Sequence, residues 1–265
     1  MRPSDYLKGR VGDADVVTSL VVPDTDGRMC VCAKDDAVIA GMDFVVDMLE
    51  SAWVDVSALV KDGDRVSAGT RVISASGPMR LLTSVGEIVT DVLSHMSTIA
   101  TATSEAVKEA DGRCIIAAGH ASGLGTEDLD RKAIEIGGGD PNTTVSGPLL
   151  VLRPVHVRAC GNLRTAMEKL SKASFTYMTG VEVSTPEEVS VAVDMGADVI
   201  VASGADRGLV EEARRVIDGA DRRVALEVEC ADTEGISAYA DIADVVSVGS
   251  LTEGGRSVRF GIELN

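Results

Sequence analysis

Residues 177–202 read YMTGVEVSTPEEVSVAVDMGADVIVA. Two short apolar runs, Tyr177–Val183 and Asp198–Ala202, flank a segment that opens with Thr185-Pro186-Glu187-Glu188. That opening supplies an N-cap, a proline at the first helical position and acids in the first turn, which together start a helix. Strand, helix and strand in succession call for two parallel strands joined by a crossover helix.

The same alternation extends on both sides. Arg113–Ala118, Leu149–Val155, Arg223–Val228 and Val245–Val248 are further apolar runs, each separated from the next by a helical pattern. Strands of this kind are buried on both faces, and six β/α units in a row favour a barrel, whole or incomplete, over an open doubly wound sheet. Before residue 113 the pattern differs. Met29–Ala40 is strand-like, and Lys61–Gly69 places two glycines around an alternating segment, which predicts strand, turn, strand. From Ser84 to Ala110, Val89, Val92, Leu93, Met96, Ile99 and Ala100 recur at helical spacing and predict a long helix. The expected organisation is an N-terminal α/β domain over 1–108, joined by a C-terminal strand at about 253–265, and an incomplete β/α barrel over 109–252.

Composition limits the function. The chain has 265 residues, 45% hydrophobic and 3% aromatic, with a formal net charge of -17. That is enough apolar content for a sizeable core, too few aromatics for a groove that stacks single-stranded bases, and a field that repels nucleic acid and anionic lipid. Partners are expected to be a small-molecule ligand and further copies of the chain, as a homodimer or higher homo-oligomer. No stretch reaches the roughly 20 apolar residues of a membrane span, and the opening lacks the apolar core of a signal peptide, so the expected location is the cytoplasm. The five cysteines include no Cys-x-x-Cys pair, which points to reduced thiols. Cys30 and Cys32 share one face if their segment is a strand, and packing is their expected role.

In β/α barrels the chemistry sits at the carboxyl ends of the strands. The residues there are His120, His156, Glu182, Ser203, Glu229 and the turn Ser247-Val248-Gly249. Two imidazoles and two carboxylates can do acid/base work or bind a metal.

Six segments carry a family resemblance: Asp35–Gly41, Lys61–Gly69, Ser97–Thr103 (STIATAT), Ala133–Gly139 (AIEIGGG), Gly180–Thr185 (GVEVST) and Val246–Thr252 (VSVGSLT). In order and spacing the chain resembles quinolinate phosphoribosyltransferases over nearly its whole length. The resemblance implies an N-terminal α/β sandwich-like domain, an open β/α barrel, a dimer, and transfer of a phosphoribosyl group to quinolinate with loss of carbon dioxide, in NAD biosynthesis. Magnesium is the cofactor it implies, with Glu182 the candidate metal ligand.

Most of the family's anion-binding groups are absent. Glu87 stands at an arginine position, and Ala117–Gly125 keeps Gly123-Leu124 but none of the three cations of the main anion clamp. Pro141–Thr143 replaces Asn-His-Arg, Arg153–His156 keeps a cation and the histidine, Ser203 replaces an aspartate, and Val228–Ala231 replaces the glycine-rich phosphate turn. Only Ser247–Gly249 retains the second phosphate turn. The catalytic candidates are therefore His120, His156, Glu182 and Glu229, and the substrate-binding candidates Arg153, Ser203, Ser247 and Gly249. Glu229 is expected to face Glu182 across the barrel mouth. The reading that follows is a diverged member acting on or binding a small molecule other than quinolinate. The alternatives are a non-catalytic ligand-binding or assembly paralogue and an active nicotinate-nucleotide pyrophosphorylase with relocated cations, among which Arg80, Arg131, Lys132, Arg153 and Arg158 are the candidates.

Overall fold

The computed structural model describes residues 2–11, 15–119, 125–142, 147–204, 206–253 and 256–265. They form two compact units, one built from 1–104, 123–138 and 254–265, the other from 105–122 and 139–253.

The first unit opens with helices α1 (Pro3–Val11) and α2 (Val16–Val21), then strands β1 (Asp26–Ala33) and β2 (Ala37–Val38), helix α3 (Met42–Ser51), and strands β3 (Asp55–Ala58), β4 (Arg65–Val66) and β5 (Arg71–Pro78). Helix α4 follows over Met79–Ala110. Its apolar face buries Leu82, Leu93, Met96 and Ile99, each such side chain stabilising the fold by about 1.5–3 kcal/mol through removal from water. Helix α5 (Glu127–Gly137) belongs to this unit as well. The main sheet has the order β12-β1-β5-β3, with β12 (Phe260–Leu264) returning antiparallel to β1. The expected C-terminal strand is thus present.

Two local readings change. Lys61–Gly69 holds a turn, closed by Asp64 N–H to Lys61 O at 3.1 Å, and a single short strand, β4, which pairs with β2 because the segment also bonds outward to residues 37–39 (Ile39 N–H to Asp64 O, 2.9 Å; Gly63 N–H to Ile39 O, 2.8 Å). Met29–Ala40 is likewise broken at Lys34–Asp36, where Arg259 clamps Asp35. The guanidinium reaches both carboxylate oxygens at 3.0 Å, and the backbone N–H of Arg259 donates to Oδ2 at 3.0 Å.

The second unit contains β6 (Ile115–Ala118), β7 (Leu149–Leu152), helices α6 (Pro154–Cys160) and α7 (Leu163–Leu170), β8 (Met178–Val183), α8 (Pro186–Asp194), β9 (Val199–Ser203), α9 (Arg207–Asp218), β10 (Ala225–Cys230), α10 (Glu234–Tyr239), β11 (Val245–Val248) and α11 (Ser250–Glu253). Its six strands run parallel in the order β6-β11-β10-β9-β8-β7. This is the sequential order of a barrel with one seam left open, between β6 and β7. The β7 run stops at Leu152 because Pro154 begins the next helix. No helix among the described residues is long and apolar enough to cross a membrane.

Two outcomes test this packing. A Cβ on Gly137 would lie 2.6 Å from Thr103 Cβ and 2.7 Å from the Ala100 carbonyl, so Gly137→Ala is expected to cost about 1–3 kcal/mol in urea unfolding by forcing α5 away from α4. The hydrogen bonds from Arg259 hold the Asp35 carboxyl down at about 2, against an ordinary 3.8. A depressed carboxyl stabilises the fold above its unfolded value and loses that contribution as pH falls toward its folded value. The stability difference between this protein and Asp35→Asn is therefore expected to shrink as the pH is lowered from about 4 to about 2.

Candidate functional site

Strand register decides which side chains share a face. Glu182 lies opposite Val201 and Val201 opposite Glu227; one pleat further on, Ser203 lies opposite Glu229, Glu229 opposite Ser247 and Ser247 opposite Ala117. Paired residues of parallel strands project to the same side, and residues two apart do too. One face of the sheet thus carries Glu182, Glu227, Glu229, Ser203 and Ser247. The opposite face carries Val183, Ile200, Ala202, Leu226, Val228 and Val246, all buried. The apolar runs that define the strands are half core and half site.

Glu227 escaped the sequence reading. It is 3% exposed, and its Oε1 accepts from the side-chain amide of Asn142 at 3.2 Å. The same amide donates to the Ala118 carbonyl at 3.0 Å. Asn142 adopts a left-handed backbone (φ 47°) and its N–H donates to Asp140 Oδ1 at 2.8 Å, so a short Asx turn aims its side chain. The signal was available: ALEVEC at 225–230 sets two acids two residues apart in an apolar strand, hence on one face. It also corrects two placements. Glu229 lies within β10, not beyond it, and the partner of Glu182 along the rung is Glu227, while Glu229 shares its rung with two serines.

The retained phosphate turn is closed by its own backbone. The N–H of Gly249 donates to the Cys230 carbonyl and the N–H of Ser250 to the Ala231 carbonyl, both at 2.9 Å. Beside them Gly119 approaches so closely that a Cβ there would lie 2.7 Å from Gly249 Cα.

Cations are scarce at this edge. The segments that follow the strands or lead into β7, residues 119–126, 138–148, 153, 184–185, 204–206, 231–233 and 249–255, contain one Lys or Arg, Arg153. Other arginines of the unit serve the opposite edge. Arg222 binds Asp198 at 2.7 Å, Arg214 binds Asp244 at 3.0 Å and Arg113 binds Asp241 at 3.2 Å, and the same Asp198 and Asp244 accept the N–H groups of Thr179 and Leu226 near the starts of β8 and β10. Arg207, at the start of α9, is bound to Glu211 at 2.7 Å. Of the relocation candidates, Arg80 donates to the Val22 carbonyl and Lys132 pairs with Glu135. A cavity of about 550 Å³ opens beside Ser203 at the ends of β8 and β9. Its polar lining is Ser184, Ser203, Asp206 and Glu212, without a cation.

His156 is exposed, and its Nδ1 accepts the N–H of Arg153 at 3.1 Å, fixing the first turn of α6. The expected ring of two imidazoles and two carboxylates is not assembled by it, and His120 lies outside the described residues. Among the described residues no three His, Cys, Asp or Glu side chains converge to hold a metal ion. Cys30 and Cys32 are free thiols of β1, whose pairing with β5 shifts register between Val31 and Cys32.

Known proteins place the chain. Residues 15–97 match the family description "Quinolinate phosphoribosyl transferase, N-terminal domain" and residues 99–263 the corresponding C-terminal domain. A probable nicotinate-nucleotide pyrophosphorylase (carboxylating) of Archaeoglobus fulgidus is 28% identical over 250 residues, 92% of this chain and 96% of that protein. The human nicotinate-nucleotide pyrophosphorylase (carboxylating) is 25% identical over 240 residues, 88% of this chain and 80% of that one. Among solved structures, NadC from Streptococcus pyogenes superposes with a TM-score of 0.87 at 25% identity, covering 99% of this chain and 95% of that one.

Burial, reinforced by the carboxylates of Asp232 and Glu229, pushes the Cys230 thiol up to about 11. The thiolate is the reactive form. Cys230 is therefore expected to resist iodoacetamide at pH 7.5, mapped by mass spectrometry, and to be labelled only as the pH approaches 11; prompt labelling at pH 7.5 would contradict the buried, acid-flanked setting.

Proposed function

The chain belongs to the quinolinate phosphoribosyltransferase family, and on that premise we propose that it uses the carboxyl edge of its six-stranded sheet for a small molecule less anionic than the phosphoribosyl pyrophosphate and quinolinate of that family. The observation that carries this reading is the charge of the face: Glu182, Glu227 and Glu229 project from it, while the adjoining segments supply Arg153 alone.

Magnitude weighs against a polyanion. A hydrogen bond to an ionised group contributes about 1.5–3 kcal/mol, so three missing cations correspond to roughly three to six powers of ten in affinity. Of the relocation candidates, Arg80 is bonded to the Val22 carbonyl and Lys132 is paired with Glu135. The closed amides of Gly249 and Ser250 argue the same way.

A second reading, nicotinate-nucleotide pyrophosphorylase activity, is favoured by the activity named for the relatives and by likeness that runs the length of the chain. One assay separates the two. Purified protein incubated with phosphoribosyl pyrophosphate, quinolinate and magnesium is expected to yield no nicotinate mononucleotide by chromatography, and millimolar phosphate or sulfate is expected to leave the melting temperature unchanged. Any ligand well above its dissociation constant raises it. Steady formation of the mononucleotide would establish the second reading and remove the first.

A further inference from the structure

The cavity of about 550 Å³ at the ends of β8 and β9 has a wall that is polar while its acids are already engaged. Glu212 forms an ion pair with Arg215 one turn along α9. Asp206 caps the same helix, its Oδ1 accepting the N–H of Leu209 at 2.9 Å. Each carboxylate keeps lone pairs to spare. The hydroxyls of Ser184 and Ser203 are exposed and have no partner among the described residues. Gly204 and Gly208 line the cavity without side chains, and a Cβ on Gly208 would stand 3.1 Å from Asp206 Oδ1. Glycine within a helix costs about 0.5–1 kcal/mol relative to alanine; here it leaves the capping carboxylate uncrowded and the cavity open beside it.

We propose that this cavity holds an uncharged cyclic polyol, a free sugar or cyclitol; the inference rests on the reading above that the site serves something less anionic than the substrates of the family. Hydroxyl groups donate and accept, so they answer two carboxylates that only accept and two serines that do either. An ammonium group would find Glu212 already matched by Arg215. A phosphate or carboxylate would face both acids with no cation in the wall. Val183, Pro186 and Leu209 supply the apolar part of the lining, which suits the C–H face of a ring. The volume falls within the range of small-molecule sites, about 300–1,000 Å³.

D-ribose, D-glucose and myo-inositol are the neutral probes, and D-glucuronate and, at slightly acidic pH, D-glucosamine carry a negative or a positive group on the same kind of ring. Thermal unfolding of the full chain is followed with each probe up to about 20 mM, where general co-solvent stabilisation is small and does not saturate. At least one neutral probe is expected to raise the melting temperature along a saturating curve, with neither charged sugar exceeding it. Ser203→Leu, which puts a branched side chain at the cavity, should abolish the response. Asp206→Asn keeps a capping oxygen but turns the other carboxylate oxygen into a donor, and should need about tenfold more probe for the same shift. Ser57→Ala, in β3 of the first unit, should respond as the parent does. The proposal is overturned by no saturable response to any of the three neutral probes, by a larger response to either charged sugar, or by a full response in Ser203→Leu, which would mark a site elsewhere. If Ser203→Leu does not fold, an unchanged response in Asp206→Asn overturns it instead. Absence of both mononucleotide and a neutral-probe response removes this inference alone; mononucleotide formation removes the underlying reading as well.

Discussion

The β6 edge of the parallel sheet ends in backbone groups that no neighbouring strand takes up, and the site depends on how they are satisfied. Asp140 supplies both partners: its N–H donates to the Ile116 carbonyl and its own carbonyl accepts the Ala118 N–H, each at 2.8 Å. Buried backbone groups left unpaired are costly, so this two-bond patch is a requirement of leaving the barrel open at that seam. It has a geometric consequence. Two residues on, Asn142 is turned into a left-handed conformation, from which its amide reaches Ala118 and Glu227 together. The closing of an edge and the orienting of a buried acid are one piece of local structure.

Charge is divided between the two ends of the strands. At the amino end, Asp198 and Asp244 accept strand N–H groups and are matched by Arg222 and Arg214. These arginines serve the scaffold, and moving them would uncover acids that hold the sheet together. At the carboxyl end Glu227 accepts from the Asn142 amide and Glu229 shares its rung with Ser203 and Ser247.

The fold was legible because it depends on patterns that repeat. Val245–Val248 was bounded correctly, the returning C-terminal strand was found, and the long helix was found although it begins at Met79 and not near Ser84. Lys61–Gly69 misled because a turn signal says where the chain reverses and not which strand receives its hydrogen bonds. The site was legible only in part. Counting past strand ends picked out Glu182, Ser203, Glu229 and Ser247, which the strand register sets on one face, but Glu227 was passed over as interior to a buried strand, and Asn142 depends on a turn conformation with no periodicity to reveal it. His156, singled out for its chemistry, accepts the Arg153 N–H of its own helix on Nδ1.

The division of each strand into a core face and a site face explains how a chain can stay within a family while changing what that family's site presents. Helices cover Val183, Ile200, Leu226 and Val246, and these positions tolerate only apolar substitutes of similar volume. The other face mixes buried Val201, Glu227 and Ser247 with half-buried Glu229 and exposed Ser203. Whole-chain likeness reports the fold, and function is argued from the residues of the site. On that face the groups that resist explanation by packing are Glu227, an acid buried beside an amide, and Ser247, a hydroxyl buried beside nothing that bonds it.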